Sequence, residues 1–109
     1  MITVYSKQLF SVSGLLGVGA SVVCPSGYTM VLAHTDVFMG MTASGYNIID
    51  DSTGGTFMQD YNTGGLQYLS SKETRVVFEE GQGFHFAVTV AACDCFASGY
   101  LLLGTPPPL

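Results

Sequence analysis

His34 and Asp36 are the first pair whose residue types and spacing could do chemistry. They stand two residues apart in a run that is typical of a β-strand, where residues two apart share a face. A carboxylate beside an imidazole can orient it as a general base, as in a Ser-His-Asp triad. No Gly-x-Ser-x-Gly elbow or other supporting motif accompanies the pair. We therefore predict an ordinary polar contact or an interface position and no enzymatic activity, with a catalytic pair as the alternative.

The cysteines raise the question of a metal site. Cys93 and Cys95 are separated by one residue, so an extended chain would bring both thiols to one face. Cys24 and either His85 or His34 could complete a ligand set, but thiols at this spacing do not match the usual zinc pattern. The odd count of three cysteines implies no closed disulfide framework. The sequence favours small buried thiols, and we predict no metal and no cofactor.

Acidic residues around a glycine-rich turn suggest calcium as a second possible cation. Asp50, Asp51, Ser52 and Asp60 could supply oxygen ligands, of which Ca²⁺ takes six to eight. Their spacing matches no EF-hand loop. A solvated turn is the favoured interpretation.

Tyrosine and amide side chains stand next to each other three times in the middle of the chain. The pairs are Tyr46 with Asn47, Tyr61 with Asn62, and Gln67 with Tyr68. Jelly-roll modules often bind sugars with aromatic platforms flanked by amides, so Tyr46, Asn47, Tyr61 and Asn62 are candidate glycan-binding residues. The chain has no Trp, and tyrosine is also common at protein interfaces.

The elements that must position these residues are β-strands. No segment repeats apolar residues every three to four positions; short runs rich in Val, Ile, Thr, Tyr and Phe alternate with Gly and Pro turns. We predict an all-β fold, an antiparallel, jelly-roll-like β-sandwich of eight or nine short strands in one domain over residues 1–104, followed by a proline-rich tail over 105–109. The predicted strands are 2–10, 18–24, 28–41, 45–50, 55–59, 66–70, 74–79, 84–91 and 95–103.

Two of these strands are apolar on both faces, unlike 84–91, where Phe84, Phe86, Val88 and Val90 mark a single core face. Strict alternation over 28–41 puts apolar side chains on each side, and the same holds for 96–103. Strands apolar on both sides are covered on both sides, which favours a second subunit. The predicted interface residues are Met30, Leu32, Phe38, Met39, Met41, Leu101 and Leu103.

Composition also favours an assembly. Charged residues make up 10% of the chain against roughly 25% in an average soluble domain, and the net charge is −5. Three dispersed cations argue against nucleic-acid binding. The apolar stretch 9–23 is interrupted by Gly and Ser, so we predict no membrane insertion. Apolar surface of this kind is usually covered by neighbouring copies.

The order of several short motifs resembles a group of small virion proteins of tailed bacteriophages that infect actinobacteria. The matching pieces run nearly end to end and are Val4-Tyr5-Ser6-Lys7, Pro25-Ser26-Gly27-Tyr28-Thr29-Met30-Val31-Leu32, Thr35-Asp36-Val37, Arg75-Val76-Val77-Phe78 with Gly81-Gln82, and Ser98-Gly99-Tyr100-Leu101-Leu102.

This resemblance implies a jelly-roll or related sandwich that serves as a minor tail protein at the tail tip. The expected localisation is the virion, assembled in the host cytoplasm. The expected partners are other virion proteins and further copies of the chain, in a homo-oligomer such as a trimer. The alternatives are a capsid decoration protein and a carbohydrate-binding module that contacts the host surface.

Overall fold

The computed structural model describes the backbone of residues 2–103 and the side chains of residues 8–103. The predicted tail over 105–109 lies outside this part of the chain. The described residues form antiparallel strands, which confirms the predicted all-β fold class, and include no helix long and apolar enough to span a bilayer. The strands are β1 (Ile2–Val18), β2 (Val22–Val23), β3 (Tyr28–Met39), β4 (Ser44–Asp50), β5 (Thr56–Asn62), β6 (Tyr68–Phe78) and β7 (Gly83–Leu103).

The seven strands of residues 2–103 are fewer and longer than the eight or nine predicted. The predicted strands 66–70 and 74–79 belong to β6, and 84–91 and 95–103 belong to β7. β1 continues to Val18 through residues 11–17, which lie between the predicted strands 2–10 and 18–24. Gly14 and Gly17 make this continuation possible, since both have positive φ, 71° and 90°, and sit where the register of β1 on β7 shifts.

β7 is the centre of the sheet. The strand order is β5-β4-β7-β3-β6, with β1 and β2 also paired to β7. Thr89 is the last β7 residue opposite β4, and Cys93 is the first opposite β3. Between them Val90 has a φ of 77°, a backbone conformation unusual for a β-branched residue. Because β7 changes partner there, the sheet curves into a nearly barrel-like form that is compatible with a sandwich or jelly-roll.

The predicted core face of β7 is correct except at that bend. Phe84, Phe86 and Val88 are buried, whereas Val90 is exposed. The ring of Phe86 stacks on Phe10 with centroids 5.2 Å apart. These aromatic rings form the centre of a core to which all the longer strands contribute.

A bulge at Ala33 reverses the alternation within β3. Leu32 pairs with Gly99 of β7 and His34 pairs with the next residue, Ser98, so Ala33 is the extra residue. A bulge exchanges the faces of the residues that follow it. Met30 and Leu32 before the bulge therefore share one buried face with Val37 and Met39 after it.

Four of the predicted interface residues are buried by their own chain, and their assignment to an interface is wrong. Met30, Leu32, Met39 and Leu101 are at most 5% exposed. The prediction assumed strict alternation along β3, which the bulge breaks, and a flat two-layer arrangement in place of a curved sheet that encloses its own core. Phe38, Met41 and Leu103 are exposed.

Candidate functional site

The two ends of the sheet, β5 and β6, face each other across a seam that side chains close. Within residues 2–103 no backbone ladder joins these strands. The Asp60 carboxylate on β5 accepts hydrogen bonds from the hydroxyls of Ser70, at 2.8 Å, and Tyr68, at 2.9 Å. The ammonium group of Lys72 lies 3.5 Å from the same carboxylate. We call these four residues the Asp60 seam.

Tyr46 belongs to the inner side of this seam. Its hydroxyl lies 2.8 Å from the Ser70 hydroxyl, and because Ser70 donates its proton to Asp60, Tyr46 must be the donor. Burial is the main cause that raises the pKa of Tyr46 to about 12. Partial burial of Asp60 opposes ionisation, but the hydrogen bonds from Ser70 and Tyr68 outweigh it and lower the pKa of Asp60.

We expect Ser70→Ala to lower the free energy of unfolding by about 1 to 3 kcal/mol, because it leaves the buried hydroxyl of Tyr46 without an acceptor. Urea denaturation measures the change. Ser71→Ala, which alters the neighbouring exposed hydroxyl, should stay within about 0.5 kcal/mol of the wild type. Adding Tyr46→Phe to Ser70→Ala should recover part of the loss, since both buried polar partners are then absent. Equal losses in the Ser70 and Ser71 variants would contradict the buried chain of hydrogen bonds.

Tyr61 forms an exposed ridge between two hollows. On one side, on the outer face of β4, β5 and β7, a hollow of about 340 Å³ is lined by Gly45, Tyr46, Asn47, Gln59, Asp60, Tyr61 and Thr89. On the other side, a hollow of about 450 Å³ is lined by Tyr61, Asn62, Thr63, Gly64, Leu66, Gln67 and Tyr68. We call this region the Tyr61 ridge.

The structure places the four candidate glycan-binding residues differently. Tyr61 is 68% exposed, and Asn47 and Asn62 line the hollows beside it. Tyr46 is only 2% exposed, so its ring offers no stacking surface and its assignment as a glycan platform is wrong. The cause is the strand register, which sets Tyr46 opposite Asp60 on the inward face.

Besides lining a hollow, Asn62 has a structural role. Its side-chain amide donates to the carbonyls of Gly40, at 2.9 Å, and Leu66, at 2.8 Å. Its side-chain oxygen accepts a hydrogen bond from the backbone N–H of Gly64 at 3.1 Å. The single side chain therefore ties the turn after β3 to the loop between β5 and β6 and fixes the floor of the larger hollow.

A second surface lies on the outer face of β3, β6 and β7. Phe38 and Leu69 are directly opposite each other on neighbouring strands and are 40% and 54% exposed. Phe96 is half-buried beside them, and the three side chains share a shallow groove of about 280 Å³ whose rim includes Asp36 and Asp94. We call Phe38, Leu69 and Phe96 the Phe38 patch.

The His34 and Asp36 pair forms the predicted polar contact. Nε2 of His34 lies 3.1 Å from Asp36 Oδ1 and 3.3 Å from the Ser71 hydroxyl. A Ser-His-Asp triad engages the two ring nitrogens separately, so one nitrogen shared by both partners is not triad geometry.

The other histidine has a partner that the sequence did not reveal, since Nδ1 of His85 lies 2.5 Å from Asp51 Oδ1. Only the register of β4 on β7 brings these two together.

The candidate cation ligands do not converge. Asp50 accepts hydrogen bonds from the backbone and hydroxyl of Ser52. Asp60 lies opposite Tyr46, four residues along β4 from Asp50 and thus on the order of 13 Å away. No group of three or more His, Cys, Asp or Glu residues placed to hold a metal ion occurs among the described residues.

The three cysteines are free and buried, as predicted. Cys93 and Cys95 both belong to the core. Burial, assisted by the neighbouring Cys93 and Asp94, raises the pKa of Cys95 to about 12. Burial also raises the pKa of Cys24, so these two thiols stay protonated and serve as small apolar groups.

No protein-family model matches the sequence, and neither does any curated protein or solved structure. The surfaces themselves therefore carry the functional argument. Two of them, the Phe38 patch and the Tyr61 ridge, expose large side chains in an arrangement that another molecule could contact.

Proposed function

We propose that this protein is a non-enzymatic structural subunit that works by packing against other polypeptide through the Phe38 patch. The observation that carries the proposal is the direct pairing of two exposed apolar side chains, Phe38 and Leu69, on the face of a regular sheet. In a chain with 10% charged residues, few charged side chains are available to surround such a patch. An aromatic and aliphatic centre with a polar rim is the usual composition of a protein interface.

The edge of the sheet is less suited to assembly than this face. β6 is a terminal strand, and it carries Lys72, Glu73 and Arg75. Charged side chains on an edge strand oppose pairing with another chain. Contact through the face of the sheet, with the edge kept apart, therefore avoids extension of the sheet by strand addition.

The charges at the rim also favour a particular symmetry. Asp36 and Asp94 border the Phe38 patch, and a two-fold contact of the patch with itself would bring four carboxylates together. A heterologous contact, in which the patch meets a different surface of the next copy, avoids this repulsion. Contacts of that type close into rings when the rotation between neighbouring copies allows closure, and a trimer is the smallest such ring.

From the resemblance of its motifs to small bacteriophage virion proteins, we propose that this subunit belongs to a virion, is assembled in the host cytoplasm, and acts at the tail tip as a minor tail protein. Its partners are then other virion proteins as well as further copies of itself. Immunogold electron microscopy of purified particles tests this assignment. Labelling of the tail tip would support it, labelling of the head would identify a capsid decoration protein, and particles without the protein would overturn a virion role.

We expect Leu69→Asp to abolish self-association, because it places a carboxylate at the centre of the apolar patch near two existing carboxylates. Light scattering coupled to size-exclusion chromatography, over a wide range of protein concentration, measures the change. The matched control is Val77→Asp, which adds the same charge to the same strand at another exposed position.

The control should associate like the wild type, and both variants should keep wild-type circular dichroism. A wild-type chain that remains monomeric at every concentration and binds no virion protein would contradict the proposed function. Association that survives Leu69→Asp would show that another surface is used.

A further inference from the structure

We propose that the Tyr61 ridge binds a neutral oligosaccharide, with sugar rings resting on Tyr61 and filling the hollows on either side. This inference is independent of the assembly proposal, since the ridge shares no residue with the Phe38 patch. It rests on the shape of the hollows, the chemistry of their walls, and the hydrogen bonds that hold the Tyr68 ring and the loop between β5 and β6 in place.

The first argument is shape. A ligand site in a protein typically measures about 300 to 1,000 Å³, and the hollows measure about 340 Å³ and 450 Å³. Tyr61 lines both, so its exposed ring separates two spaces that a chain of linked rings could occupy together. Gly45 keeps the smaller hollow open, because a Cβ there would lie 3.1 Å from the Cβ of Tyr61 and 3.6 Å from the Thr89 hydroxyl.

The second argument is the chemistry of the walls. Their side-chain polar groups are amides and hydroxyls, which exchange hydrogen bonds with sugar hydroxyls as donors and acceptors. The contributors are Asn47, Gln59 and Thr89 on one side and Thr63, Gln67 and Tyr68 on the other. Asp60 is the one ionisable carboxylate in the lining, and its oxygens already accept from Ser70, Tyr68 and the backbone of Tyr61. Lys and Arg are absent from both linings, so a neutral ligand fits better than an anionic one.

The third argument is preorganisation. The hydroxyl of Tyr68 is held by Asp60 at 2.9 Å, and this hydrogen bond raises the pKa of Tyr68 and keeps its ring in one position. Asn62 ties the loop beneath the larger hollow to the turn after β3. A site whose walls are fixed before binding loses less conformational entropy when a ligand arrives.

The test begins with an array of neutral mono-, di- and oligosaccharides, with sulfated and sialylated glycans as the charged counterparts. The strongest neutral binder is then titrated into ¹⁵N-labelled protein by NMR. We expect shifts at residues 45–47, 59–68 and 89. Tyr61→Ala should weaken binding by at least about tenfold, as truncation of a central aromatic contact does, while Tyr61→Phe keeps the ring and the affinity.

Each remaining outcome has a defined meaning. The absence of any neutral binder, binding of charged glycans alone, or unchanged affinity in Tyr61→Ala would each overturn the proposal. Shifts at Tyr61 that follow protein concentration without saccharide would assign the ridge to a second copy and overturn it as well. Leu69→Asp should bind saccharide like the wild type and Tyr61→Ala should self-associate normally, so failure of one proposal is separable from failure of the other.

Discussion

Gly99→Ala is expected to lower the free energy of unfolding by about 3 kcal/mol or more. This is at or above the upper end of the usual cost of adding a methyl group to a well-packed core. Gly99 lies on β7 opposite Leu32, next to the bulge at Ala33. A Cβ at this position would overlap the carbonyl oxygen of Val31, and it would also lie 2.9 Å from the carbonyl carbon of Val31 and 3.2 Å from the backbone nitrogen of Ala33. These atoms belong to the backbone of β3, which is paired on both sides, so they cannot move away as a flexible side chain could.

Gly40→Ala is the matched control. Gly40 follows β3, and a Cβ there would meet no atom within 4 Å. The same glycine-to-alanine substitution should therefore leave the urea midpoint close to that of the wild type. A Gly99 variant as stable as the Gly40 variant would contradict the close approach of β7 to the bulge, and with it the register assigned to the centre of the sheet.

Phe86→Ala is expected to lower the free energy of unfolding by about 3 to 5 kcal/mol, the usual cost of removing a fully buried phenylalanine ring. Phe86 is completely buried and stacks on Phe10. It also lies 6.3 Å, centroid to centroid, from both Phe84 and Tyr46. The surrounding rings of Phe10, Tyr46 and Phe84 sit on three different strands, so they cannot collapse together into the cavity without displacing backbone. Denaturation followed by tyrosine fluorescence and circular dichroism measures the loss.

Phe38→Ala makes the same substitution on the outer face of the sheet. It distinguishes a residue that stabilises the fold from one that contributes to self-association. Because Phe38 is exposed, we expect its variant to lose about 1 kcal/mol or less and yet to weaken self-association. Comparable losses of stability at Phe38 and Phe86 would mean that the Phe38 patch is part of the core. Normal association of Phe38→Ala would instead count against the patch as an interface.

Strand type and the core of β7 could be predicted from the sequence because they depend on local alternation. Phe84, Phe86 and Val88 recur every second residue, and burial follows that period. The faces of β3 could not be predicted in the same way. The bulge at Ala33 arises from how β3 meets β7, a strand more than sixty residues later in the chain, and leaves no distinctive residue type at the bulge itself.

The candidate surfaces were predictable to a similar degree. Tyr61, Asn47 and Asn62 were identified by residue type, and all three line the hollows of the Tyr61 ridge. The exclusion of Tyr46 depends on its pairing with Asp60 and its hydrogen bond to Ser70, which is 24 residues away. Leu69 and Phe96 likewise become neighbours of Phe38 only through the register of three strands.

The Asp60 seam has a consequence for motion within the folded state. No backbone ladder joins β5 to β6 in the described part of the chain. Separating these strands would therefore break side-chain hydrogen bonds and the ring contact of Phe57 with Phe78, while the paired strands stay paired. Partial opening of this kind requires less free energy than global unfolding. The amide protons of β5 and β6 that face this seam should accordingly exchange with solvent sooner than those where β7 meets β3.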